Sequence, residues 1–334
     1  MKRLLAVAAF MLFTLALLPG ARCADHVQMA LGWLPQADFG GFFQAKVDGT
    51  YGRAGLDVDL VSGNQQNGGI MLMASGQYDF VRISNSGVAL AMASAHLPYV
   101  VIAAIYQKDA TTIIVHDTPD APASLAALRG YPVMISPEAM DNYWAFLVQK
   151  YGFRNSQIRR YTGNPAGFVA DPTVATQGYV TSDLPRLKEA GVPVKDFFLA
   201  DAGYSAYGTL LVARKDLVEQ HPDMVQRFLD ATLAGWCSYL HGDRTKADAM
   251  IVSGNPDYTL LNAADAVAAI NKFGLVEGAE AKEHGIGYMT EARWREYLSQ
   301  MKDTGLYSPD INLSSVYTTR FLHDTKCIRV SGGM

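Results

Sequence analysis

Within residues 27–61 two strand patterns flank a helical one, and that order leaves few folds open. Residues 27–34 form an apolar run of strand length, which Pro35 stops. Glycines and aromatics follow as Phe39-Gly40-Gly41-Phe42-Phe43, then a helical stretch, then a turn between Gly52 and Gly55. Leu56-Asp57-Val58-Asp59-Leu60-Val61 alternates apolar and polar residues, as a half-buried strand does. Strand, helix and strand in so short a stretch make a βαβ unit, which implies a parallel sheet. In open α/β sheets, ligands sit at the carboxyl ends of the strands. The loop that carries Trp33, Asp38, Phe39 and Phe42 lies at such an end, so it reads as an aromatic wall for a small molecule.

The first residues read as a leader. Lys2 and Arg3 are a basic start, residues 4–18 are apolar, and Pro19-Gly20-Ala21-Arg22-Cys23-Ala24 supplies small residues for cleavage. This is the pattern of a secretory signal, assigned to residues 1–24 and short for a membrane span. Cys23 follows Arg22 rather than a small residue, which argues against a lipid anchor. The remainder, about 310 residues, exceeds one ordinary core and suits two lobes. Without Lys2, Arg3 and Arg22 it holds 25 basic and 32 acidic residues, a formal charge of −7 against −4 for the whole chain. Nucleic-acid binding calls for a basic stripe, so that partner class is excluded. Cys237 and Cys327 either pair, as export allows, or stay two separate buried thiols.

Strand and helix patterns alternate through the first two thirds of the chain. Residues 69–75 read as a helix, 78–83 as a strand, Ser84-Asn85-Ser86-Gly87 as a polar turn and 88–95 as a small apolar helix. Strands are expected at 99–106 and 111–115, then at 131–135, 174–178, 195–199 and 207–213. Ser136-Pro137-Glu138 starts a helix expected to run to Tyr151, and from Asp216 onward the chain is mainly helical. The expected architecture is α/β with two lobes: residues 25–115 plus 206–334, and an inserted lobe of residues 116–205. Two chain crossings make a hinge, and the cleft between the lobes is the default ligand site.

Catalytic and metal motifs are missing from the sequence. The seven histidines are scattered, and there is no H-E-x-x-H, C-x-x-C, G-x-G-x-x-G or Walker loop. In Gly203-Tyr204-Ser205-Ala206-Tyr207-Gly208 the second glycine falls one residue late for a nucleophile elbow. The segment 63–69, GNQQNGG, either offers N–H groups to a polar or anionic ligand or is a plain polar loop. Neither a cofactor nor turnover is expected.

The residues resemble a known family. GWLPQADFGGFFQAKVDGTYGRAGLDVDLVSG is similar to the start of periplasmic solute-binding proteins of ABC importers, in the thiamine-pyrimidine-precursor and sulfonate/nitrate subgroup. Asp79-Phe80 with Ser84-Asn85-Ser86, Tyr106-Gln107-Lys108, the run from Gln177 to Ser182, the run from Gly203 to Gly208, and the P-x-x-V-x-x-F helix with its Gly235-Trp236 also match. The matches span about residues 29–240 in order and spacing. The resemblance implies a type II periplasmic-binding fold, a periplasmic monomer, and delivery of a small molecule to an inner-membrane ABC permease. Pyrimidine-forming enzymes related to this family carry clustered cysteines, which this chain lacks.

In the pyrimidine binders a tryptophan near Trp33 stacks on the ring, so the resemblance assigns Trp33 that role; a core tryptophan is the alternative. Asp38 reads first as a helix N-cap and second as acceptor for an exocyclic amine. Phe39 lines either the cleft or the core. Asn64, Ser84 and Asn85 follow strands at the cleft side, where ordinary turn chemistry is the alternative. Tyr106 would wall the cleft at the hinge, Glu138 would open a helix of the second lobe, and Gln177 and Tyr179 would end a strand there. Tyr204 and Tyr207 flank the return crossing. Arg82, which alternates with Val81 and Ile83, is expected to point away from the apolar face. The aromatic surplus favours a flat heterocycle such as a thiamine-precursor pyrimidine, then riboflavin, then an alkanesulfonate, taurine or nitrate. A secreted enzyme on the same fold is the competing class.

Overall fold

A computed structural model describes residues 24–63, 69–140, 142–278, 280–307 and 311–324, with Cys327. The leader up to Cys23, and Asn64, lie outside the described residues. The strands are β1 (Asp25–Ala30), β2 (Leu56–Val61), β3 (Phe80–Asn85), β4 (Tyr99–Tyr106), β5 (Thr111–His116), β6 (Val133–Ile135), β7 (Ile158–Arg160), β8 (Ala175–Tyr179), β9 (Val194–Phe198) and β10 (Gly208–Arg214). They form two five-stranded sheets, ordered β2-β1-β3-β10-β4 and β7-β6-β8-β5-β9. β1 pairs in parallel with β2 from Asp25↔Leu56 to Ala30↔Val61, the arrangement that strand, helix and strand require. Leu56 and Val58 are buried while Asp57 and Asp59 are exposed, as an alternating edge strand demands.

The two sheets exchange a strand. β5 arrives from the first sheet and pairs antiparallel with β8 and β9. β10 returns from the second and pairs antiparallel with β3 and β4. The sequence placed residues 111–115 with the first lobe, but their hydrogen bonds put β5 in the second sheet. The crossing therefore lies between Tyr106 and Thr111, because pairing partners and not local pattern assign a strand to a sheet.

The helices that frame the site are α1 (Gly40–Val47), α2 (Ser86–Ser94), α3 (Tyr143–Tyr151), α4 (Asp183–Glu189), α5 (Pro222–His241), α6 (Leu260–Phe273) and α7 (Glu291–Met301). The single helix expected to reach Tyr151 is two, Pro137–Met140 and α3, since the Asn142 side chain accepts from the Tyr143 N–H and restarts it. Ser84 and Asn85, expected as a turn, complete β3.

Gly40 and Gly41 belong to α1, not to a loop, and they set its distance from α5. A Cβ on Gly40 would lie 2.0 Å from the Tyr239 ring, and one on Gly41 2.2 Å from the Trp236 ring. From α5, a Cβ on Gly235 would lie 2.3 Å from the Gly41 carbonyl oxygen. Phe42 meets Trp236 edge-on in the same seam. A disulfide joins Cys237, on α5, to Cys327.

Candidate functional site

The chain passes between the sheets twice, and the two passages touch: the Asp109 N–H donates to the Ala206 carbonyl at 3.0 Å. Arg293, on α7, grips both, donating to the Gln107 carbonyl at 2.6 Å and the Ser205 carbonyl at 2.9 Å. Beside these passages lies a cavity of about 20 Å³, room for roughly one water. Gln36, Asp38, Arg82 and Ser84 line it from the first sheet's side, and Asp109, Ala110 and Tyr179 from the second's. Tyr106, Gly208 and Thr209 complete it at the crossings.

Register explains why β3 supplies two of these residues. β3 pairs with β1 only at Met29↔Phe80 and Ala30↔Val81, so beyond Val81 it runs past the end of β1. Phe80, Arg82 and Ser84 share one face of β3. Phe80 packs in the core cluster that includes Phe39. Two residues on, the Arg82 guanidinium carbon lies 4.8 Å from the Phe39 ring centre, a cation–π contact. Arg82 lies on the face opposite Val81 and Ile83, as its alternation predicts, but that face is also apolar at Phe80 and Phe39, and beside them lies the cavity.

Asp38 sits in a short 3-10 turn, Ala37–Phe39, and caps no helix: neither the start of that turn nor that of α1 has a side-chain cap. Its Oδ1 accepts from the Thr181 hydroxyl at 2.5 Å and the Tyr106 hydroxyl at 3.2 Å. Thr181 follows β8, so this carboxylate ties the two halves together. Asp38 is 4% exposed, and burial pushes its carboxyl above the ordinary carboxylate range, against the pull of Thr181 and Arg82. Burial pushes Asp109 up in the same way. The Tyr106 hydroxyl is pushed far up by burial and next by the Asp38 charge, and so remains a donor.

Two atoms at this cavity have no partner. Asp38 Oδ2 and Arg82 Nε are both buried and make no hydrogen bond to the described residues. Among the described residues six other buried side-chain atoms are unpartnered too, on Gln44, Gln107, Thr111, Ser205, Trp236 and Trp294. None of those residues lines the cavity, and none is charged. Arg82 Nη2 reaches Thr209 Oγ1 at 3.4 Å. Thr209 holds a φ of +43°, unusual for a β-branched residue, immediately after Gly208. A Cβ on Gly208 would lie 3.1 Å from Asp109 Cα and 3.2 Å from the Lys108 carbonyl oxygen.

The remaining candidates fall elsewhere. Ser84 donates to Glu138 at 2.5 Å across the cleft, so Glu138 joins the rim. Trp33 is half-buried against the first core cluster and outside the cavity lining. Phe39 is fully buried beneath Arg82. Asn85 caps α2, accepting from the Gly87 and Val88 N–H groups. Gln177 Oε1 accepts from the Ser136 N–H and the Tyr143 hydroxyl within the second half. Tyr204 packs on Tyr297, and the Tyr207 hydroxyl accepts from the Thr290 N–H, both in the core. Sequence reading left out Gln36, Arg82, Asp109, Thr181 and Thr209. The Asp109-Ala110-Thr111 run, where Thr111 N–H donates to Asp109 Oδ1 at 2.8 Å, was a turn signal available in the sequence.

His241, Glu277 and Cys327 bring potential metal-ligating atoms within 4.8 Å of one another, but the Cys327 sulfur is committed to the disulfide. Among the described residues no helix is long and apolar enough to cross a membrane.

Comparison with known proteins follows the same outline. The family described as NMT1/THI5 like matches residues 36–272. The riboflavin-binding protein RibY of Chloroflexus aurantiacus is 22% identical over 89% of this chain and 86% of its own length. The formylaminopyrimidine-binding protein of Halalkalibacterium halodurans is 28% identical over 64% of this chain and 66% of its own. Among solved structures, the periplasmic aliphatic sulphonate binding protein SsuA of Escherichia coli superposes with a TM-score of 0.66 at 13% identity, covering 93% of this chain and 95% of that one. At that identity the likeness establishes the fold: two α/β lobes of the periplasmic-binding type.

Proposed function

This chain belongs to the NMT1/THI5-like family, and from that premise we propose that it is the periplasmic solute-binding component of an ABC importer. It captures a small flat heterocycle, with a thiamine-precursor pyrimidine ranked first, and hands it to an inner-membrane permease without turning it over. The observation that carries this reading is the interlobe cavity lined by two ionisable residues, Asp38 and Arg82, whose buried Oδ2 and Nε atoms have no partner among the described residues. Leaving such atoms without partners is costly, so a ligand that pairs both is favoured by the full difference. The names of the two sequence relatives, one for riboflavin and one for formylaminopyrimidine, support a ring with N–H and acceptor edges.

Capture works by closure. A cavity of about 20 Å³ cannot hold a ring, so the halves part and close again about the two passages that Arg293 grips. The Asp38–Thr181 and Ser84–Glu138 contacts are what opening breaks. A secretory leader over residues 1–24 would place the mature chain where such a permease meets it.

The test is a thermal-shift series with a formylaminopyrimidine, riboflavin and butane-1-sulfonate. A ligand present at a hundred times its Kd stabilises the folded chain by about 2.7 kcal/mol. The midpoint should rise with a heterocycle and stay unmoved with the sulfonate; a rise with the sulfonate alone would sink the reading. A second observation, the Arg82 cation in the cavity, is what would make the sulfonate outcome intelligible.

A further inference from the structure

We infer that Arg82 and Asp38 act as a donor–acceptor clamp that selects an uncharged nitrogen heterocycle by one edge and turns oxyanions away. The inference rests on the solute-binding reading and deepens it by naming the ligand edge.

Three observations combine. First, the unpartnered atoms have opposite character: Asp38 Oδ2 accepts and Arg82 Nε donates. The two residues that carry them line the same cavity. A ligand edge with an N–H next to a bare ring nitrogen or carbonyl pairs both at once. An oxyanion has acceptors only, so it leaves Asp38 Oδ2 as orphaned as before.

Second, the charge around the cavity suits a neutral guest. Arg82 is its one cation among the described lining residues, and two carboxylates, Asp38 and Asp109, stand beside it. The Arg82 charge acts on both carboxyl groups. A sulfonate or nitrate would place a negative charge beside two carboxyl groups whose own ionisation burial already makes costly. In a water-excluded cleft that is a strong penalty.

Third, Arg82 is held in place. Its guanidinium lies over the Phe39 ring, and Nη2 reaches the Thr209 hydroxyl. Thr209 presents that hydroxyl from a left-handed backbone position. Asp38 is held by Tyr106 and Thr181 through Oδ1, which leaves Oδ2 as its unpartnered acceptor. Both halves of the clamp are therefore oriented before a ligand arrives, which lowers the entropy lost on binding.

Ligand and protein can be trimmed on matching sides, which separates a lost edge contact from a general effect on folding. Calorimetry at pH 8 would compare 4-amino-2-methylpyrimidine with 2,4-dimethylpyrimidine, which lacks the amine, and with m-toluidine, which lacks the ring nitrogens. Each trimmed probe should bind the wild-type chain about ten- to a hundredfold more weakly, the usual effect of leaving one buried group unpaired. Asp38→Asn should abolish the preference for the amine and leave that for the ring nitrogen. Arg82→Met should do the reverse. A merely structural role would weaken all three probes alike in either variant and keep both preferences, which would overturn the clamp. Butane-1-sulfonate should bind no variant except Asp38→Asn. If it alone binds the wild-type chain, the heterocycle reading itself has failed. If the pyrimidines bind but show no edge preference, only the clamp has.

Discussion

Asp38 and Gly40 stand two residues apart and serve opposite kinds of contact. From Gly40 onward α1 meets α5 in a dry seam, where ring and backbone fill the space that any added methyl would need. At Asp38 the chain turns toward a cleft, where a buried carboxylate oxygen has no partner and the halves meet through side-chain hydroxyls. The seam is as tight as a protein interior becomes. The seam's unpartnered atoms, Gln44 Oε1 and Trp236 Nε1, sit on neutral side chains, whereas the cleft leaves a carboxylate and a guanidinium atom unsatisfied, which native interiors avoid unless something else is to fill the gap. The seam therefore carries stability, and the cleft gives some up in favour of recognition.

Three measurements test that contrast. The largest effect belongs to the end of α5. The Cys237–Cys327 bond closes a loop across 90 positions of sequence, and in the chain-entropy view such a loop stabilises by about 4–5 kcal/mol. Replacing both cysteines by alanine should lower the denaturant midpoint accordingly while ligand affinity stays within about twofold of wild type. A large loss of affinity would show that the seam and the cleft are not separate.

Next comes the seam itself. Gly235→Ala puts a methyl against backbone, the Gly41 carbonyl oxygen, which cannot swing aside. Overpacking of this kind costs about 1–3 kcal/mol. Chemical denaturation of the variant checks it, and a cost near zero would mean that the helices separate freely.

The smallest effect is a change in pH dependence. Burial raises the Asp38 carboxyl in the folded chain above its unfolded value, about 3.9. The folded state then binds the proton more tightly than the unfolded state does. Asp38 thus favours folding below that unfolded value, and its contribution is lost as pH rises through the folded value. Asp38→Asn keeps an acceptor for Tyr106 and Thr181 but has no charge to bury. Relative to wild type, its melting temperature should gain as pH is raised from 4 toward 8. A gain on acidification would reverse the sign and refute the burial argument. Asp109, raised for the same reason, keeps part of the slope in both proteins.

Much of this arrangement is written in local pattern. The apolar run that becomes β1, the alternation of β2 and the wholly buried β4 announce themselves because strand periodicity is a property of neighbours. So does the order of strands and helices, which points to parallel pairing and to two halves. Asp38, Ser84, Tyr106 and Tyr179 were legible as candidates because they follow or end strands, where α/β sheets bind their ligands.

Only the tertiary structure could decide the rest. Arg82 faces a cavity and not solvent because β3 outruns β1, and register between strands is invisible in either one alone. Thr209 and Asp109 reach the site because β5 and β10 change places between sheets. Asn85, which looks as ligand-facing as Ser84, is taken up by the first N–H groups of α2. Gly40 and Gly41, which look like a loop, are the room that α5 needs. Local sequence determines which elements form and which way their faces alternate. What those faces meet depends on contacts between residues far apart in the chain, and here that is the difference between a core and a cleft.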